Sequence, residues 1–151
     1  MDLQHPNPAL KDQADYVIGA RIEDDIWSKQ YDFEQLAAKK IDDSTFMICC
    51  IPFALYDITI GDLVEVDDEL NVIKVVKVSD HVAFRIATKS ATQQASLLEL
   101  LSSMSANYEV FSDNLIAVDV DNNIDGSNLA DKLAELEDSK QIVEYETIRT
   151  K

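Results

Sequence analysis

The segment Asp121-Asn122-Asn123-Ile124-Asp125-Gly126-Ser127 carries the chain's densest set of side chains able to do chemistry. It matches the first half of an EF-hand calcium loop, with oxygen ligands at positions 1, 3 and 5 and glycine at 6. The second half breaks the pattern. Position 9 is Leu129, and position 12, where a bidentate glutamate closes the coordination sphere, is Lys132. The preceding residues, Leu115 to Val120, read as a strand and not as an entering helix. A polar strand-to-helix turn, with Asp125 or Ser127 capping the next helix, accounts for the same composition without an ion. No metal and no cofactor is expected.

Nucleophilic catalysis needs a base within hydrogen-bond reach of a serine or cysteine, and His5 and His81 are the two histidines. His5 falls in a stretch that reads as loose. His81 follows Asp80 at the start of a strand, where a turn histidine satisfied locally is the ordinary case. Cys49 and Cys50 are adjacent, so in a strand they point to opposite faces and cannot form an ordinary disulfide. This fits a reducing cytoplasm, with at least one thiol in the core. Gly-rich phosphate loops and metal-spaced His or Cys sets are lacking. An enzyme is not expected.

Charge narrows the partners. The 151 residues hold 29 Asp and Glu against 13 Lys and Arg, a net charge of -16. Nucleic-acid phosphates and anionic membranes favour basic patches, so both are excluded as expected partners, and a basic protein is favoured. The start of the chain, Met1 to Asp12, has neither the basic nor the apolar region of a signal peptide, and no apolar run approaches a membrane span.

The elements that must position these residues follow from periodicity. One domain over 1–151 is expected: a loose N-terminus at 1–14, a strand-rich meander or small barrel at 15–89, and a βαβ-type half at 90–151. Strands are read at Tyr16 to Glu23, Asp32 to Ile41, Thr45 to Ile51, Leu63 to Asp67, Val72 to Val78 and His81 to Thr88. Gly61 supplies a positive φ before Leu63. Leu97, Leu101, Met104 and Tyr108 give a helical stripe over Ala91 to Asn107, capped by Ser90 or Thr92. Strands Glu109 to Ser112 and Leu115 to Val120 follow, with Asp113-Asn114 as a hairpin turn or a bulge. A helix from about Asn128 to Lys140 and a strand from Gln141 to Ile148 complete the chain. The expected class is α+β: antiparallel strands first, then a ferredoxin-like split βαβ half with two helices packed on its sheet.

Several of these residues carry a resemblance. Phe33-Glu34-Gln35-Leu36-Ala37-Ala38, Ile51-Pro52-Phe53-Ala54, Gly61-Asp62-Leu63-Val64-Glu65-Val66 and Leu115-Ile116-Ala117-Val118-Asp119-Val120 together resemble the bacterial family called domain of unknown function 4265. Ala37 stands where that family's tryptophan is expected. The resemblance implies a small bacterial cytosolic α+β protein and carries no catalytic residues.

A missing active site and an acidic surface suggest a binding protein, foremost an immunity protein that neutralises a toxin domain with a basic active site. Candidate contacts are Asp119, Asp121 and Asp125 at one end of the expected sheet, and Glu144 and Glu146 on the last strand. The alternatives are a small-molecule-binding or regulatory domain, by analogy of fold, and a calcium-dependent module built on Asp121 to Ser127. Acids at Glu23 to Asp25, Asp42-Asp43 and Asp67 to Glu69 are explained by turn chemistry, whereas the excess from Asp113 to Glu146 is not.

Overall fold

The computed structural model describes residues 1–121 and 123–149. The chain forms two compact units that divide in sequence between Ser79 and Asp80, ten residues before the change of character expected near Ser90.

The first unit is an antiparallel five-stranded meander in the order β1-β2-β3-β4-β5: Tyr16–Arg21, Phe33–Lys40, Thr45–Ile48, Leu63–Val66 and Val72–Lys77. Gly19 N–H donates to Leu70 O at 2.9 Å, which brings β1 against the end of β5 and bends the sheet toward a barrel. Ile18, Leu36, Phe46, Ile48, Ile60 and Val64 fill its interior, each contributing roughly 1.5–3 kcal/mol by burial. Gly61 has φ 85°, the left-handed value expected of it before β4.

The acidic turns do structural work. Asp24 Oδ2 accepts from the N–H of Ile26 and Trp27, Asp42 Oδ1 from Ser44 and Thr45, and Asp67 Oδ1 from Glu69 and Asn71. The Ser44 N–H holds the Asp42 carboxyl below its ordinary pKa of 3.8.

The N-terminus departs from expectation. Leu3 is buried, its N–H donates to Phe33 O and its carbonyl accepts from Gln35 N–H, both at 2.8 Å, so residues 1–5 run beside β2 like a short added strand. Burial of Leu3 offsets the entropy of ordering this segment, which composition alone does not reveal.

The second unit is β6 (Val82–Ala87), α1 (Ala91–Ser103), β7 (Asn107–Ser112), β8 (Leu115–Val120), α2 (Asn123–Asp138) and β9 (Glu144–Thr147). Its antiparallel sheet has the order β7-β8-β6-β9, the ferredoxin-like topology. The strand expected to extend the first meander is therefore β6, which lies centrally in the second sheet and is buried at Ala83 and Arg85 as well as at Phe84 and Ile86. Asp113-Asn114 turns a hairpin that also carries a bulge between Val110 and Ser112.

Ser90 caps α1, its Oγ accepting from Gln93 N–H at 3.2 Å. The helix stops before Tyr108 because Ser105 takes a left-handed φ of 57° and turns the chain into β7. Leu97, Leu101, Leu129, Leu133 and Leu136 pack on Phe84, Ile116 and Val118 to make the core.

Helix α2 starts about five residues earlier than the sequence suggests, at Asn123. Asp125 and Ser127 are consequently within the helix and not its cap. Gly126, read as part of a turn, is helical because the helix approaches β6 there: a Cβ at Gly126 would sit 2.8 Å from Val82 Cβ. The close approach explains a residue that costs a helix about 1 kcal/mol relative to alanine. At the other end Gln141 N–H donates to Leu136 O at 2.8 Å, a Schellman closure in which Lys140, with φ 62°, occupies the position usually held by glycine. A side chain there costs about 1–2 kcal/mol. Among the described residues no helix is long and apolar enough to cross a membrane.

Candidate functional site

The five sequence candidates do not form one surface. Asp119, on β8, is fully buried, and its carboxylate accepts from His81 Nδ1 at 2.9 and 3.0 Å and from Asn107 Nδ2 at 3.5 Å. Its place at one end of the sheet makes it a candidate contact in the sequence, but this carboxylate is satisfied internally and cannot meet a partner directly. Burial pushes its pKa up from 3.8, while His81 opposes the shift. Glu146 is engaged with Arg85, accepting from Nε at 3.0 Å. Asp121, Asp125 and Glu144 are exposed.

His81, Asp119 and Asp121 meet at one corner of the second unit, the one cluster of His, Cys, Asp or Glu ligand atoms close enough to share a cation among the described residues. The β6–β8 register opposes Ala83 to Asp119, which places His81 at the strand end beside Asp121, 3.7 Å away. One ligand atom from each of His81, Asp119 and Asp121 lies within 4.8 Å of the others, a separation that suits a shared divalent cation as well as a hydrogen-bonded pair. The calcium loop that the sequence suggested does not form, since the chain is helical from Asn123; Asn122 lies outside the described residues.

A second histidine–carboxylate pair, this one with both side chains fully buried, has no local signal in the sequence. Glu34, fully buried on β2, accepts from Phe53 N–H at 2.7 Å, from Ala54 N–H at 2.9 Å, and pairs with His5 Nε2 at 2.5 Å. The His5 ring stacks on Phe53 with centroids 4.6 Å apart. The nearby loop has a matching knot: Asp62 accepts from Thr59 N–H at 3.0 Å and from Ser79 N–H at 2.8 Å. These carboxylates replace sheet partners for loop backbone that would otherwise be buried unsatisfied.

Cys49 and Cys50 are both buried, and they form no disulfide. Burial, reinforced by the nearby Asp15 charge, pushes the Cys49 thiol up to about 11, so it stays protonated and unreactive at neutral pH.

A family model, Domain of unknown function (DUF4265), matches residues 34–144. The chain belongs to this family. The matched span begins at Glu34 and includes Phe53, Ala54 and Asp62, so some of the residues that carry the resemblance also knot the loop between β3 and β4. His5 lies outside it. No curated protein matches the chain. A crystal structure of a hypothetical protein from Neisseria gonorrhoeae is similar in fold, with a TM-score of 0.72 and 18% identity over 88% of this chain and 93% of that one.

Proposed function

We propose that this family member is a non-catalytic acidic binding protein of the cytoplasm, an immunity protein that docks on and neutralises a basic toxin domain. The observation that carries this reading is the placement of acids on α2. Asp131, Glu135 and Asp138 recur at helical spacing, exposed and opposite Leu129, Leu133 and Leu136. Glu137 and Asp138 stand in the last turn, which has no basic residue, against the negative end of the helix dipole. Like charges four apart and acids at a helix C-terminus each cost a few tenths of a kcal/mol or more. The carboxylates of Asp131, Glu137 and Asp138 take no hydrogen bond or ion pair among the described residues. Turn chemistry explains Asp24, Asp42 and Asp67 in the first unit; no contact among the described residues explains Asp131, Glu137 and Asp138.

A basic partner would remove that repulsion on binding and be steered toward the surface at long range. Asp125 in the first turn of α2, and Asp121 and Glu144 on either side of the helix in sequence, add further exposed acids. The test is capture from the native host with the purified chain, identification of the bound protein, and co-expression. The reading requires a basic protein whose toxicity this chain relieves, and loss of relief when Asp131, Glu137 and Asp138 become lysine.

A further inference from the structure

The second unit holds a cavity of about 610 Å³ whose electrostatics run against the rest of the molecule. Of the four lysines after Asp80, three, Lys89, Lys132 and Lys140, line this one cavity; the fourth, Lys151, lies outside the described residues. Lys89 and Lys140 form no ion pair among the described residues, although the chain offers 29 carboxylates. Lys132 holds only an exposed contact of 3.4 Å to Glu135.

The floor beneath them is apolar, made by Leu97, Leu100, Leu136 and Ile142. Gln93 ties the two lysine-bearing ends together, accepting from Lys89 N–H at 2.8 Å and donating to Lys140 O at 3.2 Å. Lys140 is itself held at φ 62°, where glycine would relieve the backbone. A glycine at this position would avoid that backbone cost and lose the cation from the cavity wall.

We propose that this groove binds a small amphipathic anion, a carboxylate or phosphate monoester on an aliphatic body, with the lysines taking the charged group and the leucine floor the tail. The volume lies within the usual range for small-molecule sites, and a cationic rim over an apolar floor matches that ligand chemistry. The site is independent of the basic-partner reading, because its test uses the purified chain alone.

Titration calorimetry with decanoate and with decyl phosphate supplies the test, with decanol and inorganic phosphate as controls. At least one of the two amphiphiles should bind, the tighter one naming the head group, and each control should bind at least about tenfold more weakly. Lys140→Gly should weaken amphiphile binding by about tenfold while leaving the melting temperature equal or higher, since it relieves the left-handed backbone. Lys89→Gln should weaken binding without touching that backbone. Failure of both amphiphiles to bind, equal binding of decanol or of inorganic phosphate, or unchanged binding in both variants would overturn the proposal.

Discussion

The imidazole of His5 lies 2.5 Å from the buried Glu34 carboxylate, 29 residues away in sequence, and lays its ring on Phe53. Because Glu34 also accepts from Phe53 and Ala54 N–H, one side chain joins the N-terminal segment, β2 and the loop after β3. Glu34→Ala strands two buried donors and His5, and is expected to cost about 3 kcal/mol in chemical denaturation. His5→Ala should cost less, about 1–2 kcal/mol. Wild-type stability in Glu34→Ala would show that the N-terminus is not docked as described.

Gly126 tests the packing of α2 on β6. Alanine is the better helix former, yet its Cβ would stand 2.8 Å from Val82 Cβ. Gly126→Ala should therefore lose about 1–3 kcal/mol by overpacking. A gain in melting temperature would mean that the helix starts after this residue.

Asp119 carries a pH signature. Its carboxyl binds a proton more tightly in the fold than in the unfolded chain, whose value is the ordinary 3.8. The native state then holds more protons in the interval above 3.8, so this group's contribution falls as pH rises through that interval, and the penalty is complete once Asp119 ionises. Asp119→Asn, which can still accept from His81, should raise the melting temperature relative to wild type near neutral pH. That advantage should shrink toward pH 3.8. A difference that is flat with pH would contradict the assignment.

The thiols give a kinetic check. With Cys49 raised to about 11 and both sulfurs buried, a disulfide reagent at pH 8 should label neither until the first unit opens. Stoichiometric labelling of the native protein within seconds would place a cysteine at the surface.

Local signals were readable in the sequence where one segment decides the outcome. The Ser90 cap, the positive φ of Gly61, the acidic turns and the split βαβ order all follow from neighbours within a few residues. What was hidden depends on partners far away in the chain. Alternation marks β6 as a strand but is silent on its sheet, which the pairing of Val82 with Val120 decides. Asp119 reads as a contact residue at the end of the sheet and is buried instead, where His81 and Asn107 satisfy it. Gly126 reads as a turn unless Val82 is known to press on it. His5 and Glu34 carry no local motif, and their meeting rests on Leu3 docking beside β2.

The acids at the end of α2 should trade stability against binding. Glu137→Lys/Asp138→Lys removes two charges that oppose the helix dipole and supplies two that complement it, so the variant should gain about 1 kcal/mol. A loss of stability would mean that these carboxylates have a structural role within the fold.

Most direct is the ionic-strength dependence of binding between this chain and the basic protein it captures from its host, measured by titration calorimetry for wild type and for Glu137→Lys/Asp138→Lys. The wild-type Kd should rise at least about tenfold between 50 and 500 mM salt, and the variant should bind about tenfold more weakly at the lower salt despite its higher melting temperature. A Kd indifferent to salt and to both charge reversals, or the capture of no basic protein at all, would contradict a role for the α2 acids in holding a basic partner.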